Sequence, residues 1–205
     1  MMKGRAVKEE APSLKESILA KCADYGVPAV NVPPDRRAEI DQLCSQLEKL
    51  NPTSSPATDN AAALAGTWRV MYSDAVPPSN GQFGPFTGDA FQIVSIDEGV
   101  YENRLDIGTG KLVVSLKADW TVRDDETWRV AFRTLTFKLL GLSLPTVEFP
   151  AGTERTWCMT FVDETMRLVR AGVDGGRSTS RDLGLVDKEA GEAKDAFLFV
   201  MTKDT

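Results

Sequence analysis

Residues 112–140 read LVVSLKADWTVRDDETWRVAFRTLTFKLL, and this stretch decides the fold. In its first half Leu112, Val114, Leu116, Ala118, Trp120 and Val122 occupy alternate positions, with Ser115, Lys117, Asp119 and Thr121 between them. A period of two is that of a strand with one face in a core and the other in water. Asp124-Asp125-Glu126 supplies a polar turn, and 127–140 resumes as a long strand carrying Trp128, Val130 and Phe132. Two long alternating runs joined by so short a turn predict an antiparallel hairpin.

The same period extends in both directions. Residues 64–73 put Trp68, Val70 and Tyr72 on one face, and 90–96 with 100–107 form a hairpin around Asp97-Glu98-Gly99. Residues 154–162 and 166–171 form another through Asp163-Glu164-Thr165, and 196–202 is a closing strand. About eight sequential strands with frequent turns predict an antiparallel barrel or sandwich, and an eight-stranded barrel is just wide enough for one small ligand. The Pro- and Gly-rich loop 77–88 carries Phe83 and Phe86, which either line a barrel mouth or pin the loop. The Gly-rich stretch 172–195, charged in both signs, reads as a solvated insertion before the last strand.

Before residue 64 the period is that of a helix. Leu14, Ile18, Leu19 and Cys22 mark a first helix over 13–25, with Ser13 placed to cap it and Gly26 and Pro28 to end it. Pro33-Pro34-Asp35 opens a second to about residue 50, with the apolar stripe Ile40, Leu43, Cys44, Leu47 and Leu50, and Asn51-Pro52 stops it. The expected organisation is a helical hairpin at 13–51, a polar linker at 52–63, and a β-domain at 64–202 with its insertion at 172–195.

Composition narrows the chemistry. With 42% hydrophobic residues the 205-residue chain can build a sizeable core. A net charge of −6 argues against nucleic acid as partner, because phosphate neutralisation needs a basic patch. There is no histidine, which removes histidine-based triads, histidine-ligated zinc and most proton shuttles near neutral pH. Cys22, Cys44 and Cys158 form no C-x-x-C; Cys22 and Cys44 either pair between the two helices or stay as buried thiols. No metal site is expected. No run of 18 apolar residues occurs, so no helical membrane span is expected, and residues 1–10 resemble neither a signal nor a transit peptide. If the protein enters an organelle, its targeting segment is expected to lie outside this sequence.

Three local patterns carry a resemblance. Gly66-Thr67-Trp68 opens the first strand as Gly-x-Trp does in lipocalins, where the glycine lets the chain pass close to the barrel floor and the tryptophan plugs it. Leu47, Glu48, Asn51 and Pro52, followed by Leu64, Gly66, Trp68, Val70, Tyr72 and Ser73, resemble the opening of the plastid lipid-associated protein (fibrillin) family. TFVDETMRLVR at 160–170, with Phe197–Val200 beyond it, resembles that family's closing signature. Phe161 and Met166 depart from the commoner Tyr and Leu, and the family usually has a tight turn where 172–195 stands here. The resemblance implies a mainly β, antiparallel, lipocalin-like eight-stranded barrel preceded by a helical hairpin. It implies a non-catalytic carrier of a hydrophobic molecule (isoprenoid, carotenoid, quinone or acyl lipid) at plastid membranes, thylakoid or plastoglobule. The alternative is a ligand-free accessory subunit docked on a photosynthetic membrane protein complex. No cofactor is implied beyond such a bound lipid, carotenoid or quinone.

The candidate interior, ligand-contacting residues are Trp68, Val70, Tyr72, Leu116, Trp120, Trp128, Val130 and Phe132; otherwise these side chains fill a packed core. By analogy with lipocalins, Gly66 and Trp68 form the floor and Arg170 packs on Trp68, with Arg167 its nearby competitor, a contact worth roughly 0.5–2 kcal/mol. Leu139, Leu140, Leu142 and Leu144 are candidates for a membrane or protein contact if exposed, or else a strand end tucked under the helices. The acidic pairs fall at hairpin tips, Ser143 lacks a G-x-S-x-G context, and no glycine spacing fits a nucleotide loop, so no catalytic constellation is expected.

Overall fold

The computed structural model describes residues 3–150, 152–172 and 196–204. Two helices, α1 (Lys3–Ala23) and α2 (Pro34–Glu48), and a short 3-10 turn (Ala61–Leu64) precede the strands. These are β1 (Gly66–Ser73), β2 (Gln82–Phe83), β3 (Phe86–Thr87), β4 (Asp89–Ser95), β5 (Val100–Ile107) and β6 (Leu112–Val122). There follow β7 (Thr127–Leu139), β8 (Leu142–Ser143), β9 (Val147–Glu148), β10 (Glu154–Val162), β11 (Met166–Gly172) and β12 (Ala196–Lys203). Eight of them close an antiparallel barrel in the order β1-β4-β5-β6-β7-β10-β11-β12 and back to β1, the closure being β7 against β10, as the alternating pattern predicts. Beyond Gly172, the expected insertion lies outside the described residues. Among the described residues no helix is long and apolar enough to cross a membrane.

Alternation sorts each strand's side chains, and among the described residues three bulges re-sort them. One is at Thr160 of β10, which puts Met159 in the barrel core and Phe161 under the helices. In β1 the pairing with β12 shifts between Val70 and Tyr72. Met71 is the extra residue, so Trp68 and Val70 join the barrel core while Tyr72 turns outward under the helices. The expectation that Tyr72 faces the interior is therefore corrected. In β7 the partner of Lys117 is Thr134 and that of Ala118 is Phe132, which makes Arg133 a second extra residue. Beyond it the inward positions become Leu135 and Phe137, both packed on the core.

The helices cover one side of the barrel. Leu14, Ile18 and Cys22 of α1 and Ile40, Cys44 and Leu47 of α2 pack on the outward side chains of β1, β10, β11 and β12. Here Tyr72, Phe161, Leu168 and Val200 are all buried. α1 starts earlier than the apolar stripe requires and continues through Pro12. Ser13 is thus inside the helix and not its cap; its carbonyl accepts a hydrogen bond from Ser17 Oγ at 2.9 Å. Cys22 and Cys44 are both buried and not bonded to each other. The stretch expected as a polar linker lies across one end of the barrel: Thr53 Oγ1 donates to the Val162 carbonyl at 2.6 Å, and Ala57 N–H to that of Asp125 at 2.9 Å.

The far end of β7 differs most from a strand end tucked under the helices. Leu140 adopts φ +51 and Gly141 φ +83, reversing the chain so that β8 and β9 return along the edge of β7 that β10 has left. Leu140 is 71% and Leu142 73% exposed, with Leu139 and Leu144 also exposed.

Candidate functional site: the barrel interior

The closed end of the barrel is built on Gly66. Its φ of +109 lies where side-chain-bearing residues are strained, and a Cβ there would stand 2.8 Å from Lys203 Nζ. Glycine is required for the turn into β1 by its φ, while the Lys203 side-chain end would only have to shift. Trp68, fully buried, donates its indole N–H to the Leu64 carbonyl at 2.8 Å. Trp128 donates to the Ala57 carbonyl at 3.0 Å and stacks on Trp120 with ring centroids 4.1 Å apart. The indole rings plug the floor, and the N–H groups of Trp68 and Trp128 tie the covering segment to it.

Trp68 is also flanked by two cations, and here the floor contact expected of Arg170 is corrected. Arg167 lies over the indole with its guanidinium carbon 5.0 Å from the ring centroid, and Lys203 Nζ lies 4.4 Å from it. Arg167 and Arg170 have opposite parity on β11, so only one can face inward. Arg170 faces α2, where Nε meets Glu48 at 2.7 Å, Nη1 meets Asp41 at 2.8 Å and Nη2 meets Ser45 Oγ at 3.2 Å. Although burial lowers its pKa, these two carboxylates raise it above the ordinary arginine value.

The other expected interior residues divide by depth. Val70 and Val130 are buried in the core; Trp120 and Phe132 are half-buried against it, with Phe149 6.0 Å from Phe132. Leu116 is half-buried and shares the inward parity of Val114 and Ala118. Toward the end away from Trp68, Leu112, Leu135, Phe137 and Phe197 are only partly buried, and Phe83 of the small β2–β3 hairpin lies 6.1 Å from Phe137. This end is therefore apolar but less tightly filled than the floor. The four exposed leucines stand at the same end, since β7 runs from Trp128 at the floor to Leu139.

A polar group inside the barrel was not singled out by sequence reasoning. Gln92 on β4, Tyr101 and Asn103 on β5, Trp157 on β10 and Arg167 all take inward positions. Arg167 donates through Nη2 to Gln92 Oε1, and the Tyr101 hydroxyl donates to Asn103 Oδ1 at 3.2 Å. Burial pushes the Tyr101 phenol well above its usual range. The signal that could have found these residues is parity: Gln92 falls in step with Ala90 and Val94, and Tyr101 with Leu105 and Ile107. Among the described residues no group of acidic or cysteine side chains is gathered in a way that could hold a metal ion.

Comparison with known proteins bears on the whole of this architecture. The family model described as PAP_fibrillin matches residues 19–176. A relative from Arabidopsis thaliana, "Probable plastid-lipid-associated protein 5, chloroplastic", is 29% identical over 140 residues, 67% of this chain. The aligned region spans 56% of that relative's length.

Proposed function

Since the chain belongs to the PAP_fibrillin family, we propose that it works by holding one hydrophobic small molecule in its barrel at a plastid membrane. The observation that carries this reading is the gradient of filling along the barrel axis. Trp68 and Trp128 are fully buried at the floor, whereas Leu112, Leu135, Phe137 and Phe197 stay partly uncovered at the opposite end. Apolar walls there suit an acyl, prenyl or carotenoid chain, whose burial gains about 0.8 kcal/mol per CH₂. The plastid location is supported by the name of the Arabidopsis relative, a chloroplastic protein.

The exposed tip supports a membrane as the source of that molecule. Leu139, Leu140, Leu142 and Leu144 protrude beside the barrel mouth, and exposed Lys111 and Lys138 flank them; the Leu140 N–H donates to the Lys111 carbonyl at 2.7 Å. An apolar tip with a basic collar suits the surface of a bilayer containing anionic lipid. Binding, and not catalysis, is the proposed activity. In support, the chain has no histidine, and the acidic residues Asp89, Glu102, Asp106, Asp119 and Glu154 of the barrel strands take outward positions.

The same exposed leucines favour a second reading, an accessory subunit docked on a photosynthetic membrane complex without a lipid in its barrel. Native mass spectrometry with solvent extraction of protein purified from its source distinguishes them. The carrier reading expects about one pigment, quinone or acyl lipid per chain. Protein that fractionates only with a large complex and releases no lipid overturns it in favour of the subunit.

A further inference from the structure

The barrel's arginines divide sharply. On the outside Arg69 pairs with Asp89, Arg104 with Asp106 at 3.2 Å, Arg129 with Glu154 at 3.4 Å and Arg133 with Asp119 at 2.6 Å. Arg167, 1% exposed and inside, has only neutral neighbours among its contacts: the amide oxygen of Gln92, the Met201 sulfur at 3.5 Å and the face of Trp68. A buried charge of this kind is stabilised only weakly by such partners, and its natural complement is an anion.

The unused hydrogen-bonding groups beside it are all donors. Among the described residues, Arg167 Nε, Gln92 Nε2 and Trp157 Nε1 are buried and have no partner. A chain of neighbours links them up the barrel: Gln92 bonds Arg167, Arg167 lies within electrostatic reach of Tyr101, and the Tyr101 ring is 5.5 Å from that of Trp157, which stands opposite Ala171, four residues along β11 from Arg167. Arg155 stands on the same inward face of β10 as Trp157, two positions nearer the mouth. Unpaired donors around a buried cation call for an acceptor that carries negative charge.

We propose that the base of the barrel is a docking site for the carboxylate of a single-chain lipid. Arg167, Gln92 and Trp157 donate to its oxygens, and its hydrocarbon chain runs past Phe137 and Phe197 toward the leucine tip. The inference rests on the carrier reading and names the class of molecule carried. Of the two cations on Trp68, Lys203 is only part-buried and already donates to the Ala65 carbonyl. The fully buried charge left to answer is that of Arg167, which a carboxylate matches, whereas a phosphate monoester brings a charge of about −1.5 to −2 near neutral pH. Burial pushes the Arg167 guanidinium down to about 10, which leaves it cationic under physiological conditions.

The test is calorimetric or fluorescence-displacement titration of the full chain with palmitate and, separately, with 1-hexadecanol, which has the same tail and no charge. The wild type is expected to bind palmitate at least about tenfold more tightly, a difference of the size that charge complementarity supplies. Arg167→Met should abolish that preference while keeping hexadecanol binding, Arg167→Lys should restore part of it, and Trp157→Phe should weaken palmitate alone. Near-UV circular dichroism reports folding; if Arg167→Met is not native, Trp157→Phe decides. Equal binding of both probes to the wild type, or a preference untouched by the substitutions, overturns the carboxylate site and leaves the carrier reading standing. A stronger preference for hexadecyl phosphate also overturns it. Binding of none of the three overturns both.

Discussion

Arg170 and Arg167 lie three positions apart on β11 and have opposite consequences. Arg170 bridges the barrel to α2 through Glu48 and Asp41, a half-buried pairing in which each charge-assisted hydrogen bond contributes on the order of 1.5–3 kcal/mol. Arg170→Met is expected to lower stability by about that amount in urea unfolding, with the barrel's near-UV signal retained. Asp163 makes the matching tie to α1. Burial acts to raise its carboxyl, but Lys15 at 2.6 Å and the backbone N–H groups of Thr165 and Met166 outweigh it and hold the group below its usual value. A depressed carboxyl contributes stability that is fully present above about pH 4 and disappears as the pH falls through the folded value. Lys15→Met should therefore move the acid limb of the stability curve to higher pH. Burial also raises the Cys22 thiol to about 12 and that of Cys44 further, and both should resist a thiol reagent at pH 8 until the protein is unfolded. A single residue's face was legible in the sequence only as parity. Arg170 was placed at the floor by analogy, and simple alternation from Val169, which is in the core, would have chosen Arg167.

At the level of elements, the strands of the barrel were readable because half-burial imposes a period of two on Leu112–Val122 and its neighbours. What alternation did not encode were its interruptions. Met71 and Arg133 are ordinary strand residues in sequence, yet each adds a position and turns the rest of its strand over, carrying Tyr72 out and Leu135 and Phe137 in. The N-terminal limit of α1 was equally hidden, since Ser13 and Pro12 carry start signals that the helix overrides. The β7–β8 reversal presents Leu140 and Leu142 to solvent, so their replacement should cost little stability. The double substitution Leu140→Ser, Leu142→Ser is expected to lower binding to vesicles of phosphatidylcholine with one-fifth phosphatidylserine by several-fold in flotation, with the melting temperature unchanged. Unaltered flotation would place membrane contact elsewhere on the surface.

Across the whole molecule, β7 against β10 completes the ring, and the helices bury a second core on its outside through Tyr72, Phe161 and Leu168. The two cores share β1, β10, β11 and β12, whose alternate residues serve one or the other. The chain segment between helices and strands looked like a spacer in sequence because its own composition is polar. Its contact with the floor tryptophans is made through backbone carbonyls, which no side-chain pattern reports: Leu64 and Ala57 receive the two indole N–H groups. Ala57 itself is 1% exposed. The smallest autonomous piece of this chain therefore begins upstream of Ala57, and a fragment starting at Gly66 would leave two indoles at an uncovered base. Such a fragment should aggregate or bind a hydrophobic dye where the intact protein does not, and adding a synthetic peptide of residues 52–65 should restore the fluorescence of a shielded tryptophan.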